Sequence, residues 1–227
     1  MTNGVESFEV RTTISCNSRL VRHHFSCAIS AHFINSIGIE EKQMKHLIIG
    51  GVRSGKSDFA EKLLAHCLLT NTQRNRAFYI ATSLSIGEET KSRIARHQLH
   101  RNKNIVTCEL DYQQKTLNYF LDNHDSTEKF ILIECLSTWV GWYLSQDKPL
   151  KQCISDYEQA KNQFIQRLID LQATVFVVTG EVGCGLIGES KLMRVYADKL
   201  GELNQEVARL SNKVTLVTAG IAQQIKG

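Results

Sequence analysis

The sequence predicts an α/β fold with a mostly parallel sheet and helices on both faces, and three observations lead to this prediction. Short β-branched or apolar runs recur along residues 44–227, and segments with helical periodicity separate them. The runs are apolar at nearly every position rather than at every second one. Strands of this kind are buried on both faces, which is typical of parallel sheets covered by helices.

Five strands are predicted from these runs. They fall at residues 47–49, 77–81, 130–133, 175–178 and 214–217. Runs of this length are far too short to cross a bilayer, so we expect no stable membrane insertion.

Three amphipathic helices are predicted from apolar residues that recur at helical spacing. The three stripes are Phe59, Leu63 and Cys67; Tyr157, Phe164, Leu168 and Leu171; and Tyr196, Leu200, Leu203, Val207 and Leu210. The single proline, Pro149, is expected to separate two helices after the run at residues 130–133, because the residue before a proline disfavours the helical conformation.

Composition is that of an ordinary globular protein, with 42% apolar and 22% charged residues. A formal net charge of +4 is too small to predict nucleic-acid binding. The seven cysteines are odd in number and contain no Cys-x-x-Cys pair. This argues against a disulfide scaffold and a zinc site, and it indicates a reducing, cytoplasmic location.

Residues 1–43 differ from the rest of the chain. Their basic and acidic residues balance, so the whole net charge of +4 falls on residues 44–227. They show no sustained apolar period and lack the pattern of a signal peptide. We expect this segment to be a poorly ordered extension or the product of an upstream start site, and residues 44–227 to form one domain.

A phosphate-binding loop is predicted where the chain matches Gly-x-x-x-x-Gly-Lys-[Ser/Thr] between an apolar run and an amphipathic helix. Its residues are Gly50, Gly51, Val52, Arg53, Ser54, Gly55, Lys56 and Ser57. Glycines let backbone N–H groups wrap phosphate oxygens, and the helix start adds partial positive charge. Lys56 neutralises the β- and γ-phosphates and the Ser57 hydroxyl can bind Mg²⁺. The alternative, a coincidental glycine-rich turn, does not explain the strand–loop–helix context.

A carboxylate at the end of a neighbouring strand is the expected second half of such a site, because ligands gather at the carboxyl ends of parallel strands. Glu134 follows the run at residues 130–133, and Glu181 follows the run at residues 175–178. Either residue could instead be a solvated strand-end glutamate.

A second candidate is a predicted helix at about residues 87–101. On it Glu89, Arg93, His97 and Arg101 recur every four residues and share one face. A neutral imidazole between arginines can attack a phosphate that the arginines hold. From spacing alone, a solvated basic face is the simpler interpretation.

Six segments taken in order change this interpretation. They are residues 49–57, 79–83, 93–101 (Arg-Ile-Ala-Arg-His-Gln-Leu-His-Arg), 132–139 (Leu-Ile-Glu-Cys-Leu-Ser-Thr-Trp), 181–185 (Glu-Val-Gly-Cys-Gly) and 203–205 (Leu-Asn-Gln). From Met44 onward the chain resembles the bifunctional adenosylcobinamide kinase / adenosylcobinamide-phosphate guanylyltransferase family of cobalamin biosynthesis. The loop at residues 50–57 is shared by many families, whereas the ordered set is specific to this one.

The resemblance implies a RecA-like P-loop domain in a homotrimer. It implies phosphorylation of adenosylcobinamide with GTP or ATP and Mg²⁺, followed by transfer of GMP from GTP to adenosylcobinamide phosphate through a guanylylated His97. Lys56 acts in catalysis, and Ser57 and Glu134 are the implied metal ligands. The implied nucleotide contacts beyond residues 50–57 are Thr82, Ser83, Leu84, Gln98, Leu99, His100, Arg101, Glu109 and Glu134.

Two departures from the family's pattern fall in one loop, where Gly180 replaces the usual Asn and Gly188 the usual Pro. They leave the phosphate loop and His97 unchanged, and they bear on how the loop with Gly180 and Gly188 contacts the corrinoid or a neighbouring subunit.

Two other functions stay open: a P-loop small-molecule kinase or NTPase without nucleotidyl transfer, and a GTP-dependent switch. The switch lacks support because Asn212-Lys213 is not followed by the aspartate of Asn-Lys-x-Asp and precedes a predicted strand.

Overall fold

A computed structural model describes residues 44–71, 76–83, 104–185 and 188–227 of the chain. Two sequence predictions lie outside these residues, namely the extension at residues 1–43 and the histidine helix at about residues 87–101.

The described residues contain seven strands and five helices. The strands are β1 (Lys45–Gly50), β2 (Ala77–Ala81), β3 (Ile105–Glu109), β4 (Phe130–Glu134), β5 (Thr174–Gly180), β6 (Lys213–Thr218) and β7 (Ile221–Lys226). The helices are α1 (Lys56–Thr70), α2 (Leu117–His124), α3 (Leu136–Leu144), α4 (Leu150–Asp170) and α5 (Lys191–Leu210).

All strands belong to one sheet in the order β3-β2-β4-β5-β1-β6-β7. Every pairing is parallel except that of β6 with β7, which is antiparallel. The predicted α/β fold with a mostly parallel sheet is therefore confirmed. β5 lies between β1 and β4, so the strand before the phosphate loop and the strand ending in Glu134 are not neighbours.

Helices cover both faces of the sheet. α1 packs on one face, where it contacts β1, β4, β5 and β6. On the other face, the helices from α2 to α5 bury one continuous apolar cluster against the sheet. Leu47 and Ile49 of β1 point into that cluster, and Ile48 between them is fully buried on the α1 side, as the two-residue period of a strand requires.

The predicted helical stripes are buried with small exceptions. Phe59 is only half-buried, and Ala60 takes its place in the core beside Leu63. Tyr196 and Leu210 are also half-buried. Pro149 stands immediately before α4 and separates it from α3, as predicted.

The sequence prediction missed two strands, β3 and β7, which lie at the two edges of the sheet. Edge strands are only partly buried, so they need no continuous apolar run. In β3 only Cys108 is buried and the other four residues are half-buried or exposed, and β7 carries two glutamines between its isoleucines. Across the described part of the chain, no helix has the length and apolar character that a bilayer crossing requires.

Candidate functional site

Two glycines of the loop between β1 and α1, Gly50 and Gly55, lie where a side chain would clash or be strained. A Cβ on Gly50 would collide with the carbonyl oxygen of Val217 and the hydroxyl of Ser54. Gly55 has φ 91°, in the left-handed region that favours glycine, and its Cβ would stand 3.2 Å from the Cα of Gly220. A Cβ on Gly51 would meet nothing within 4 Å, so space is left beside that glycine for a bound group.

Lys56 and Ser57 are the first two residues of α1, with Gly55 at its N-cap. The ammonium group of Lys56 donates a hydrogen bond to the carbonyl oxygen of Gly51 at 3.0 Å, so it lies over the loop. The first N–H groups of a helix have no partner within the helix, and the helix dipole is positive there. The loop and the helix start therefore present backbone donors and one cation to the same space, which suits a phosphate group.

The side chains of Ser57 and Glu134 are in contact at the carboxyl edge of the sheet. The Ser57 hydroxyl donates a hydrogen bond of 2.6 Å to Oε1 of Glu134, although the two residues are 77 positions apart. Both side chains are half-buried. A hydroxyl and a carboxylate are hard oxygen ligands of the kind that Mg²⁺ prefers. The described residues contain no group of three or more His, Cys, Asp or Glu that could hold a metal by itself, so phosphate and water oxygens would have to complete the shell.

The second predicted carboxylate, Glu181, is oriented differently. Its Oε1 accepts a hydrogen bond from the N–H of Gly183 at 2.6 Å, within its own turn. Its backbone N–H donates to the carbonyl oxygen of Gly50 at 3.0 Å. Of the two candidates, Glu134 is thus the one whose carboxylate reaches Ser57, and its role as a metal ligand stays a prediction.

Thr82 lies at the end of β2 in a buried hydrogen-bond network. Its hydroxyl is within 2.9 Å of the carbonyl oxygen of Glu134, 2.7 Å of that of Cys135 and 2.5 Å of the Thr138 hydroxyl, and the Cys135 N–H donates to it at 2.8 Å. The Glu134–Cys135 peptide in this network is cis. The Tyr112 hydroxyl donates to the Thr82 carbonyl. Thr82 therefore fixes the backbone that carries Glu134, and its predicted nucleotide contact stays a prediction.

The other predicted nucleotide contacts lie farther from Glu134 or outside the described residues. Glu109 is exposed at the end of β3, and in the sheet register it is two strands from Glu134, a separation of about 10 Å. Ser83 is half-buried after β2. The remaining predicted residues lie outside the described part of the chain, and their roles stay predictions: Leu84, His97, Gln98, Leu99, His100 and Arg101.

Asn212 and the two departures in the family's loop also have structural explanations. The Asn212 side chain accepts a hydrogen bond from the Lys45 N–H at 2.8 Å, at the opposite end of β1 from the phosphate loop, so it does not serve a nucleotide there. A Cβ on Gly188 would collide with the side chain of Met193. A Cβ on Gly180 would stand 3.4 Å from Cβ and Oγ of Ser137, in tight contact.

No role was predicted from the sequence for Tyr112, Thr138 or Asn204. Thr138 and Asn204 fall in segments that carry the family resemblance, and Tyr112 has no comparable sequence signal. Each acts through a hydrogen bond to a residue on a different element, or to a strand end far away in sequence. No spacing rule could have found these bonds.

Comparison with known proteins gives a consistent family. The family described as cobinamide kinase / cobinamide phosphate guanyltransferase matches residues 46–225. The bifunctional adenosylcobalamin biosynthesis protein CobU of Escherichia coli is 35% identical over 191 residues, which is 81% of this chain and 100% of that protein. The bifunctional adenosylcobalamin biosynthesis protein CobP of Pseudomonas aeruginosa is 30% identical over 184 residues, with 81% and 98% covered.

Among solved structures, the KaiC-like protein PH0186 of Pyrococcus horikoshii superposes with a TM-score of 0.46 at 13% identity, over 77% of this chain and 71% of that chain.

Proposed function

This chain belongs to the cobinamide kinase / cobinamide phosphate guanyltransferase family, and we propose that its phosphate-binding loop serves both reactions. It is an enzyme that phosphorylates adenosylcobinamide and transfers a guanylyl group to the product. The observation that supports the assignment of the site is the hydrogen bond of 2.6 Å between Ser57 and Glu134, beside the ammonium group of Lys56.

In the kinase step, the loop binds the triphosphate of GTP or ATP. The backbone N–H groups and Lys56 offset the charge that shifts towards the β–γ bridging oxygen as the bond to the γ-phosphorus breaks. A hydroxyl oxygen of adenosylcobinamide forms the new bond to that phosphorus and loses its proton. The nucleoside diphosphate leaves. Positioning and charge neutralisation are the contributions that this reaction class needs from the protein.

In the guanylyl-transfer step, we propose His97 as the nucleophile. One ring nitrogen of the neutral imidazole attacks the α-phosphorus of GTP, a P–N bond forms, and the P–O bond to pyrophosphate breaks. A phosphate oxygen of adenosylcobinamide phosphate then attacks the same phosphorus. The P–N bond breaks, adenosylcobinamide-GDP is released and the imidazole returns to its neutral form. An unperturbed histidine has a pKa near 6.5, which leaves much of it neutral at pH 7.

The oxygens of Ser57 and Glu134 fit Mg²⁺, and we propose them as its protein ligands. A bound Mg²⁺ would supply further neutralisation of the phosphate charge. Glu134 is held for this role by its own strand and by the Thr82 network behind it. Thr82, Ser83, Glu109, Leu84 and residues 98–101 remain proposed contacts to the nucleotide.

The test uses GTP labelled at the α-phosphate, with wild-type protein and the variants His97→Ala and Lys56→Ala. We expect wild-type protein to acquire an acid-labile, alkali-stable label. His97→Ala should lose the label and GMP transfer while keeping kinase activity, and Lys56→Ala should impair both reactions. His66→Ala, on the third turn of α1, is the matched histidine control and should label normally.

Two results would contradict this division of labour. A wild-type protein that phosphorylates adenosylcobinamide without acquiring any label would instead be a P-loop kinase without nucleotidyl transfer. Equal loss of both activities in His97→Ala and Lys56→Ala would remove the separate role of His97.

The proposal extends to the assembly and location of the enzyme. We propose a homotrimer in the cytoplasm, and the mass of the native protein in solution checks the trimer. The substrates proposed from the family are adenosylcobinamide and its phosphate.

A further inference from the structure

We propose that Asn204 is a positioning residue that sets the geometry of the phosphate-binding loop. The inference rests on the proposed function only in taking that loop to bind a nucleotide. Asn204 stands on the buried face of α5, where its neighbours Leu200, Leu203 and Val207 are apolar and fully buried. It is itself only 7% exposed. A buried amide is costly unless it is hydrogen-bonded, so its partners indicate its role.

The amide of Asn204 is hydrogen-bonded at both of its ends. Its Nδ2 donates to the carbonyl oxygen of Gly180 at 3.0 Å, and its Oδ1 accepts from the Thr179 hydroxyl at 2.7 Å. A backbone carbonyl can only accept, so the bond to Gly180 fixes which end of the amide carries the nitrogen. Both partners lie at the carboxyl end of β5.

The Gly180–Glu181 peptide group connects Asn204 to the phosphate loop. Its carbonyl accepts from Asn204, and its N–H donates to the carbonyl oxygen of Gly50 at 3.0 Å. In a trans peptide these two groups lie in the peptide plane and point in opposite directions, so Asn204 and Gly50 bond to opposite edges of one rigid planar group. Gly50 is the first glycine of the loop and pairs with Gly180 in the sheet. A rotation of this peptide would therefore move the start of the loop.

Helix α5 also contacts the segment that follows Glu134. The Tyr196 hydroxyl, about two turns before Asn204 on α5, donates to the Ser137 carbonyl at 3.2 Å. Ser137 lies in the first turn of α3, shortly after Glu134, and packs against Gly180. Through Asn204 and Tyr196, α5 thus fixes both the strand that borders the loop and the segment that follows Glu134.

An apolar residue at position 204 would pack with its neighbours but could not orient the peptide. Nucleotide affinity depends on the loop N–H groups converging on phosphate oxygens, and hydrogen bonds weaken steeply when their geometry is lost. Asn204 therefore acts on the nucleotide through the Gly180–Glu181 peptide and Gly50, without touching the ligand.

The experiment compares Asn204→Leu with two controls, Thr179→Val and Ser211→Ala. Thr179→Val removes the second bond of the amide but leaves the bond to Gly180. Ser211→Ala removes a buried hydrogen bond of 2.8 Å at the far end of α5. The measurements are equilibrium binding of a non-hydrolysable GTP analogue, KM and kcat for the nucleotide, and thermal stability.

We expect Asn204→Leu to weaken binding of the analogue and to raise the nucleotide KM by about tenfold. A change of this size is what the loss of one well-formed hydrogen bond in the site would cause. Both controls should bind like wild-type protein even where they lose stability. A folded Asn204→Leu protein with wild-type affinity would overturn the proposal, as would an equal loss of affinity in Ser211→Ala.

Asn204→Asp provides a second variant in case Asn204→Leu does not fold. It keeps an oxygen for the Thr179 hydroxyl and, at a pH where the new carboxyl group is ionised, replaces the donor to Gly180 with an acceptor, so affinity measured there should fall as in Asn204→Leu. Wild-type affinity in this variant would also overturn the proposal. Failure of the proposed function has a different signature, because a wild-type protein that binds GTP without transferring GMP leaves the comparison of affinities intact.

Discussion

The two ends of β1 use polar groups in different ways. At the amino end, Asn212 and Lys45 exchange two hydrogen bonds, and buried His46 pairs with the Thr215 hydroxyl at 2.8 Å. At the carboxyl end, Lys56 and Ser57 are half-buried and face a space bordered by backbone donors and Glu134. One end joins strands to each other, and the other can bind a ligand. Substitutions at the first end should therefore affect stability, and substitutions at the second should affect activity.

Glu134→Gln is expected to have the largest effect. The change preserves shape but removes the charge that faces Ser57, so both reactions should slow by about 10- to 100-fold, as when a metal ligand or its support is lost. The Mg²⁺ concentration for half-maximal activity should rise, while thermal stability stays near that of wild-type protein. Glu181→Gln is the matched control at the end of β5 and should leave the Mg²⁺ requirement unchanged. Equal Mg²⁺ requirements in wild-type protein and Glu134→Gln would contradict the proposed role.

His46 should make stability fall with acid. Burial first, and then the positive charge of Lys213, lower the pKa of His46 to about 3. Because the unfolded chain takes up the proton near pH 6.5 and the folded chain does not, this stability is fully present above pH 6.5 and is lost as pH falls towards 3. The free energy of unfolding should be roughly 2 kcal/mol lower at pH 5 than at pH 7.5 from this residue alone.

The double variant His46→Leu/Thr215→Val checks this effect, since it removes both partners of the buried bond and leaves neither unsatisfied. Denaturant unfolding at the two pH values should show a smaller acid-induced loss in the variant than in wild-type protein. Activity at pH 7.5 should be retained. The same loss in both proteins would assign the acid sensitivity to other groups.

Asn212→Ala should have the smallest effect. The residue is exposed and its side chain accepts one backbone hydrogen bond, so the free energy of unfolding should fall by about 0.5–1.5 kcal/mol. The preference for GTP over other nucleotides should not change, because the side chain lies at the amino end of β1. A loss of guanine preference would revive the GTP-switch interpretation and break the contrast between the two ends.

The sequence alone determined the local parts of this protein. The phosphate loop, the start of α1 and the buried strands depend on consecutive residues, whose backbone geometry and apolar pattern can be read without knowing the rest of the fold. The ordered motifs also identified the family. The edge strands β3 and β7 were not recognised, because partial burial removes the continuous apolar run on which the prediction depended.

Contacts between residues that are distant in sequence could be identified only from the three-dimensional fold. The sequence offered Glu134 and Glu181 as equivalent strand-end carboxylates, and the fold turns one towards Ser57 and the other into its own turn. Likewise, in the sequence Asn204 is only a polar residue within an apolar helical stripe, and its role becomes clear from its hydrogen bond to the Gly180 carbonyl oxygen. Such contacts depend on strand order and helix placement, and the position of β5 between β1 and β4 follows from the packing of the whole sheet.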